Sequence, residues 1–159
     1  MRIIDADLEN EAQLRGILDV LDAYAREPAG GEEPISANVR ERLIRDLRNV
    51  DIAVVLAAVD DADEVVGIAV CFRGYSTFKA QPLLNIHDLA VLPSQRGRGV
   101  GRALLAAAED KARADGCCKL TLEVLDDNVG ARRLYERFGF GDGGPGERET
   151  TTLFMQKPL

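Results

Sequence analysis

Tryptophan is absent from this chain of 159 residues, histidine occurs once, methionine twice and cysteine three times. So few cysteines cannot close a full set of bridges, and Cys117 and Cys118 are neighbours, a strained geometry for a disulfide. The thiols therefore read as reduced and the chain as cytoplasmic. Three cysteines and a single histidine show no metal-ligand spacing, so no metal is expected. No apolar run approaches the roughly 18 residues that a membrane span requires. Met1-Arg2-Ile3-Ile4-Asp5 lacks the apolar stretch and small-residue cleavage site of a secretory signal. Internal repeats and low-complexity tracts are missing too. Positive charge is scarce in the first half, where residues 1–80 hold 9 Lys and Arg against 16 Asp and Glu. With a net charge of −7 overall, no basic field is available to attract a nucleic-acid backbone.

What is present is ordinary for a soluble globular protein: 46% apolar and 30% charged residues, enough to bury a core in a single domain spanning 1–159. The acidic first half is compatible with a cationic substrate, although acidic surfaces also serve solubility alone. The second half is neutral, with 11 basic and 11 acidic residues. Inside it, Pro93 to Arg102 carries Arg96, Arg98 and Arg102 and no acid, a local setting for an anion.

Periodicity places a short strand at Arg2–Ile4 and an amphipathic helix from Leu8 to about Arg26, broken by Pro28-Ala29-Gly30-Gly31. Ser36 can cap a second helix through Arg48, with Val39, Leu43, Ile44 and Leu47 on one face. Ile52–Val59 and Val65–Cys71 read as a hairpin around an acidic turn, and Arg73–Pro82 as a loop. Leu83–Val91 is a strand, Gly101–Ala114 a helix, Leu120–Leu125 a strand and Asn128–Phe138 a helix stopped by Gly139. Phe140 starts a further strand, followed by a glycine-rich loop from Gly141 to Glu149 and a last strand, Thr151–Gln156. The order predicts an α/β (α+β) fold in which one parallel crossover interrupts a mostly hairpin-connected sheet.

The informative stretch is Leu89-Ala90-Val91-Leu92-Pro93-Ser94-Gln95-Arg96-Gly97-Arg98-Gly99-Val100-Gly101. A strand ends, glycines alternate with larger residues, and a helix begins. Glycines admit a ligand close to the backbone, and the free amides of a helix start carry the positive end of its dipole, so the stretch suits a diphosphate. The nucleotide P-loop fails for want of Gly-Lys-Ser/Thr. The dinucleotide fingerprint fails because its third glycine falls on Arg102 or Leu104. A glycine-rich turn that binds nothing is the bland alternative.

Arg96-Gly97-Arg98-Gly99-Val100-Gly101 resembles the Gln/Arg-x-x-Gly-x-Gly/Ala motif that marks coenzyme A binding in the GNAT superfamily of acyl-CoA-dependent N-acyltransferases. Asp88-Leu89-Ala90-Val91-Leu92-Pro93 resembles that family's fourth strand, and Asn128, Ala131, Leu134-Tyr135 and Phe138-Gly139-Phe140 its following helix motif. The resemblance is close over about residues 85–140 and follows the family's element order elsewhere. It implies a mixed, mostly antiparallel sheet flanked by helices, with parallel strands 4 and 5 splayed apart. It also implies acetyl-CoA as co-substrate, an amine acceptor as the other partner, and compatibility with a homodimer.

Carried onto this chain, the resemblance assigns the amides of Arg96, Gly97, Arg98, Gly99, Val100, Gly101 and Arg102 to the pyrophosphate. The backbone of Leu89, Ala90 and Val91 would run along the pantetheine arm. Asn128 and Ala131 open the helix beside it; the resemblance implies that the Asn128 side chain binds the pantetheine arm, and Asn128 serves equally as an N-cap. Tyr135 would protonate the departing thiolate, against the plain alternative of a core tyrosine. For the base that accepts the amine's proton, Glu123 in the fifth strand and His87 in the fourth rank together, above Asp88. Asp88 falls on the opposite face from His87 unless a bulge shifts the register. The runner-up function is a coenzyme A-binding module without transferase activity, followed by a nucleotide-binding regulatory domain. The acceptor itself is not legible: the resemblance implies that Leu8–Arg48 and Arg73–Pro82 build its site, and those segments vary most within the family.

Overall fold

A computed structural model describes residues 1–141 together with Met155 and Lys157. Five strands form one sheet among these residues: β1 (Arg2–Asp5), β2 (Ala53–Val59), β3 (Val65–Ser76), β4 (Gln81–Val91) and β5 (Leu120–Leu122), paired in that order. The first three pairings are antiparallel and β4–β5 is parallel. A parallel step requires a crossover, and the helix α3 (Val100–Ala114) supplies it. The helices α1 (Glu11–Ala25) and α2 (Ala37–Arg48) cover one face of the sheet, while α3 and α4 (Val129–Phe138) cover the other. The mixed, helix-flanked sheet expected from the sequence is the one observed.

Each layer is fastened by a stripe of apolar side chains. Ile17, Val20 and Leu21 of α1 join Ile44 and Leu47 of α2 over Val55, Ala57, Ile68 and Val70. On the other face, Leu104, Leu105 and Ala108 of α3 pack over Leu56, Ala69, Leu84 and Ile86. β2 is buried on both faces, which accounts for its unbroken apolar run rather than an alternating one. Gly67 sets how closely α3 approaches the sheet. A Cβ there would lie 3.0 Å from Val100 and 3.3 Å from Leu104, so its absence lets the start of α3 rest on β3.

Several boundaries differ from the sequence reading. α1 starts at Glu11 rather than Leu8, because the Asn10 side chain accepts from the amides of Ala12 and Gln13 at 3.0 and 3.2 Å. Ser36 caps α2 as expected, yet Val39 is exposed, and only Ile44 and Leu47 of that face are buried. The expected loop at Arg73–Pro82 is mostly strand. Tyr75 pairs with Pro82 and Ser76 with Gln81, leaving Thr77–Ala80 as the turn. Proline is tolerated there because its missing amide costs nothing where no partner demands it, and its carbonyl accepts from Cys118. β5 stops at Leu122, three residues before its expected end. Phe140 does not begin a strand; its amide donates to the Tyr135 carbonyl at 2.9 Å, closing α4 behind Gly139. The loop and strand expected at 141–156 lie, but for Gly141 and Met155, outside the described residues. Among the described residues no helix is long and apolar enough to cross a membrane.

Candidate active site between the splayed strands

β4 and β5 pair over only three positions, Leu84 with Leu120, Asn85 with Thr121 and Ile86 with Leu122. The Asn85 side-chain amide donates to the Thr121 hydroxyl at 3.1 Å and closes the narrow end. Past Ile86 the strands part, and a cleft of about 310 Å³ opens between His87–Leu89 on one wall and Leu122–Leu125 on the other. Tyr24 and Ala29 lie against it from the α1 side, and Asn128, Ala131 and Tyr135 from the α4 side. The splay implied by the resemblance is therefore present.

The parting coincides with a β-bulge. Cys71 pairs with Ile86 and Val70 with Asp88, so His87 has no partner on β3. The bulge exchanges the faces of β4. Leu84 and Ile86 point to the α3 layer before it, and Leu89 and Val91 after it. Asp88 and Ala90, which an unbroken strand would place with Ile86, turn instead toward the α1 layer. The condition attached to Asp88 in the sequence reading is thus met: it shares the face of Asn85.

At the far end of β4 the glycine run forms a short 3-10 turn, Pro93–Gln95, and then the start of α3. Gly97 and Gly99 adopt φ of +73° and +83°, the left-handed region, and a Cβ at either would meet nothing within 4 Å. The loop's surface is therefore bare backbone. Gly99 caps α3 with no side-chain hydrogen bond, and the first-turn amides have no acceptor one turn earlier within the helix. These donors and the helix dipole fit a pyrophosphate. Arg98 and Arg102 are exposed and make no ion pair among the described residues. Arg96 differs. Its guanidinium donates to the Val91 carbonyl at 3.1 Å and forms an ion pair with Glu27, while its amide reaches the Pro93 carbonyl at 3.4 Å. The side chain of Arg96 is thus a fastener between the glycine loop and the end of α1.

The cleft collects His87, Leu89, Glu123, Asn128, Ala131 and Tyr135 from the sequence-derived set, but not Ala90 or Val91. The Ala90 side chain is buried under α1 and Val91 packs toward α3. Asn128 caps α4 by accepting from the Ala131 amide at 3.2 Å. Tyr135 is half-buried, edge-on to Phe140 at 5.9 Å, and its phenol is pushed up to about 12 by burial and by nearby Tyr24. A phenol so placed stays protonated at neutral pH. Glu123 is exposed on the cleft wall beyond the end of β5, and His87 is exposed with its ring edge-on to Phe72 at 5.5 Å. Burial raises the Asp88 carboxyl above the ordinary carboxylate range, with neighbouring His87 pulling the other way. Cys71 is buried, and its thiol is pushed up to about 12 by burial and by Asp88, too high for a nucleophile.

Tyr24 was not singled out by the sequence. It continues the stripe of Ile17, Val20 and Leu21 by one more turn and so reads as a core residue. In the structure its hydroxyl donates to the Ala29 carbonyl at 3.4 Å at the cleft edge. Burial raises its phenol, as do Asp88 and Glu27. Ala29 carries no chemical signal at all.

The Acetyltransferase (GNAT) family profile matches residues 17–140. An uncharacterized N-acetyltransferase, YhfO, of Bacillus subtilis (strain 168) is 33% identical over 86 residues, which are 54% of this chain and 58% of that protein. Thialysine N-epsilon-acetyltransferase of Bos taurus is 36% identical over 78 residues, 49% of this chain and 45% of the relative. The chain thus aligns with about half the length of these curated relatives. The crystal structure of an aminoglycoside acetyltransferase from an uncultured soil metagenomic sample, in complex with sisomicin, superposes with a TM-score of 0.77 at 17% identity, covering 99% of this chain and 96% of that one. That likeness concerns the fold. Sequence motif, family profile and splayed sheet agree: the chain belongs to the GNAT acetyltransferase family.

Proposed function

We propose that this protein transfers the acetyl group of acetyl-CoA to a primary amine by direct attack on the thioester. The observation that carries this reading is the cleft at the parting of β4 and β5, lined by Leu89, Asn128 and Tyr135, on a strand that leads on to the bare glycine loop at the start of α3. The amides from Gly97 to Arg102 hold the pyrophosphate, with Arg98 and Arg102 adding positive charge. The backbone of Leu89 and Val91 aligns the pantetheine arm as an added strand. Acetyl-CoA supplies an activated acyl group; the chain supplies proximity and charge stabilisation. A backbone amide near Leu89 stabilises the carbonyl oxygen as it gains charge.

Tyr135 donates to the sulfur as it leaves. A free thiolate takes a proton with a pKa of about 8.5, well below the phenol at about 12. Complete transfer from Tyr135 to a finished thiolate would therefore run uphill. The phenol acts while the carbon–sulfur bond is breaking, when the sulfur's charge is forming beside it.

The relatives act on chemically different acceptors by their names, so the acceptor is tested rather than assumed. Thiol release from acetyl-CoA is measured with thialysine, spermidine and an N-terminal glycine peptide. Release that depends on an added amine, with mass spectrometry showing one acetyl group on that amine, is the expected result. Tight acetyl-CoA binding with no release for any amine would favour the coenzyme A-binding module instead.

A further inference from the structure

We propose that Asp88 is the residue that takes the proton from the acceptor amine, and that the β4 bulge exists at His87 to deliver it. This inference rests on the acetyl-transfer reading of the cleft. The register shift at Val70/Cys71 turns Asp88 out of the α3 layer, where it would lie beside Ile86, and into the cleft below α1. There it is half-buried, and it makes no hydrogen bond or ion pair among the described residues. A carboxylate half withdrawn from water and given no protein partner carries part of its desolvation cost uncompensated. The bulge also separates the two proton-handling groups. Asp88 faces the α1 layer, whereas Tyr135 belongs to α4 on the opposite face, across the opening in the sheet. A nucleophile approaching from the α1 side and a leaving group on the α4 side would each meet its own group.

The groups around Asp88 agree with this role. Tyr24 faces it from α1, with Glu27 just beyond; Cys71 lies on β3, His87 on its own strand, and Glu123 and Tyr135 stand across the cleft. Both tyrosines and Cys71 are held in their neutral forms. Burial raises the Asp88 carboxyl, which makes it a better proton acceptor than an exposed carboxylate. Glu123, by contrast, is exposed beyond the end of β5. In the step itself the amine nitrogen bonds to the acetyl carbon, its proton passes to the Asp88 carboxylate, and the carbon–sulfur bond breaks while Tyr135 supplies a proton to the sulfur as its charge forms. Solvent then restores both side chains, and the products are the amide and the free thiol.

The test compares wild type with Asp88→Asn and Asp88→Glu, using acetyl-CoA and the same three amines. Asp88→Asn should bind acetyl-CoA within about twofold of wild type, lose roughly 10²–10⁴ in kcat/KM near neutrality, and lose the acidic limb of its pH profile. Asp88→Glu should restore part of that limb. A raised carboxyl pKa stabilises the fold most below the ordinary carboxylate range, and that contribution is gone once pH has risen past the raised value. The ionised group is thus a burden at neutral pH, so Asp88→Asn should melt higher than wild type there, which a merely structural aspartate would not do. In wild type, the NMR titration of the Asp88 carboxyl carbon should coincide with the acidic limb, a readout that needs no variant to fold. A retained limb in Asp88→Asn, a limb abolished only by Glu123→Gln or His87→Gln, or a carboxyl titration far from the limb overturns the proposal. Wild-type protein that acetylates none of the amines removes the acetyl-transfer reading and this assignment together. An active wild type matched by Asp88→Asn removes the assignment alone.

Discussion

Tyr135 carries two loads, and its substitution separates them. Its ring packs with Leu134 and Phe138 against the α3-side core, while its hydroxyl has no hydrogen-bond partner among the described residues. Tyr135→Phe keeps the ring, so the melting temperature should stay within about 2 °C of wild type, a shift of no more than about 1 kcal/mol for a domain of this size. Turnover should fall at least roughly tenfold with little change in acetyl-CoA affinity, and a thioester with a better leaving group should suffer less. Full turnover with a lowered melting temperature would make it a core residue only. At this scale the sequence is an uneven guide. Motifs mark Tyr135 and Asn128, and the structure lines the cleft with both. Tyr24 was hidden in the apolar stripe of α1. The face of Asp88 was left to whether a bulge fell beside it, because a single bulge residue inverts every face downstream of it and no composition signal marks where one falls.

Among the elements, the glycine loop and the end of α1 are joined by one ion pair. Glu27 accepts three amides at its carbonyl, from Gly30, Gly31 and Glu32, and holds Arg96 through its carboxylate. Ala29, inside that turn, borders the cleft. The pair is partly exposed, so Glu27→Gln should cost no more than about 1 kcal/mol of stability. It should nevertheless raise the KM for the acceptor severalfold while leaving acetyl-CoA affinity nearly unchanged, because the loosened turn borders the acceptor side. Steady-state kinetics with each substrate varied in turn checks this, and equal effects on both substrates would contradict it. The long β3–β4 hairpin and the short β5 show why element ends were the least legible part. Arg73-Gly74-Tyr75-Ser76 has loop composition but is held as strand by its partner, and Glu123-Val124-Leu125 has strand composition but has lost its partner to the cleft. Pairing overrides propensity in both places.

At the scale of the whole molecule, the architecture was legible because each helix and strand shows its own hydrophobic period and the connections allow few topologies. The acidic first half contains α1, α2 and strands β1 to β3, so the proposed acceptor side, below α1, belongs to the more acidic half of the chain. That charge favours cationic amines on encounter without selecting among them. Everything proposed for the cleft depends on the glycine loop as the seat of acetyl-CoA. The most direct measurement is calorimetric titration of acetyl-CoA into wild type, Gly99→Val and Gly116→Val. Gly99 and Gly116 both sit at positive φ, +83° and +68°, with open space at the Cβ position, so valine imposes a similar backbone strain at each, about 1–2 kcal/mol. Only Gly99 lies at the start of α3; Gly116 lies in the turn before β5. Wild type and Gly116→Val should bind acetyl-CoA alike, and Gly99→Val, though folded, should not bind. Equal affinity in all three would contradict the glycine loop as that seat.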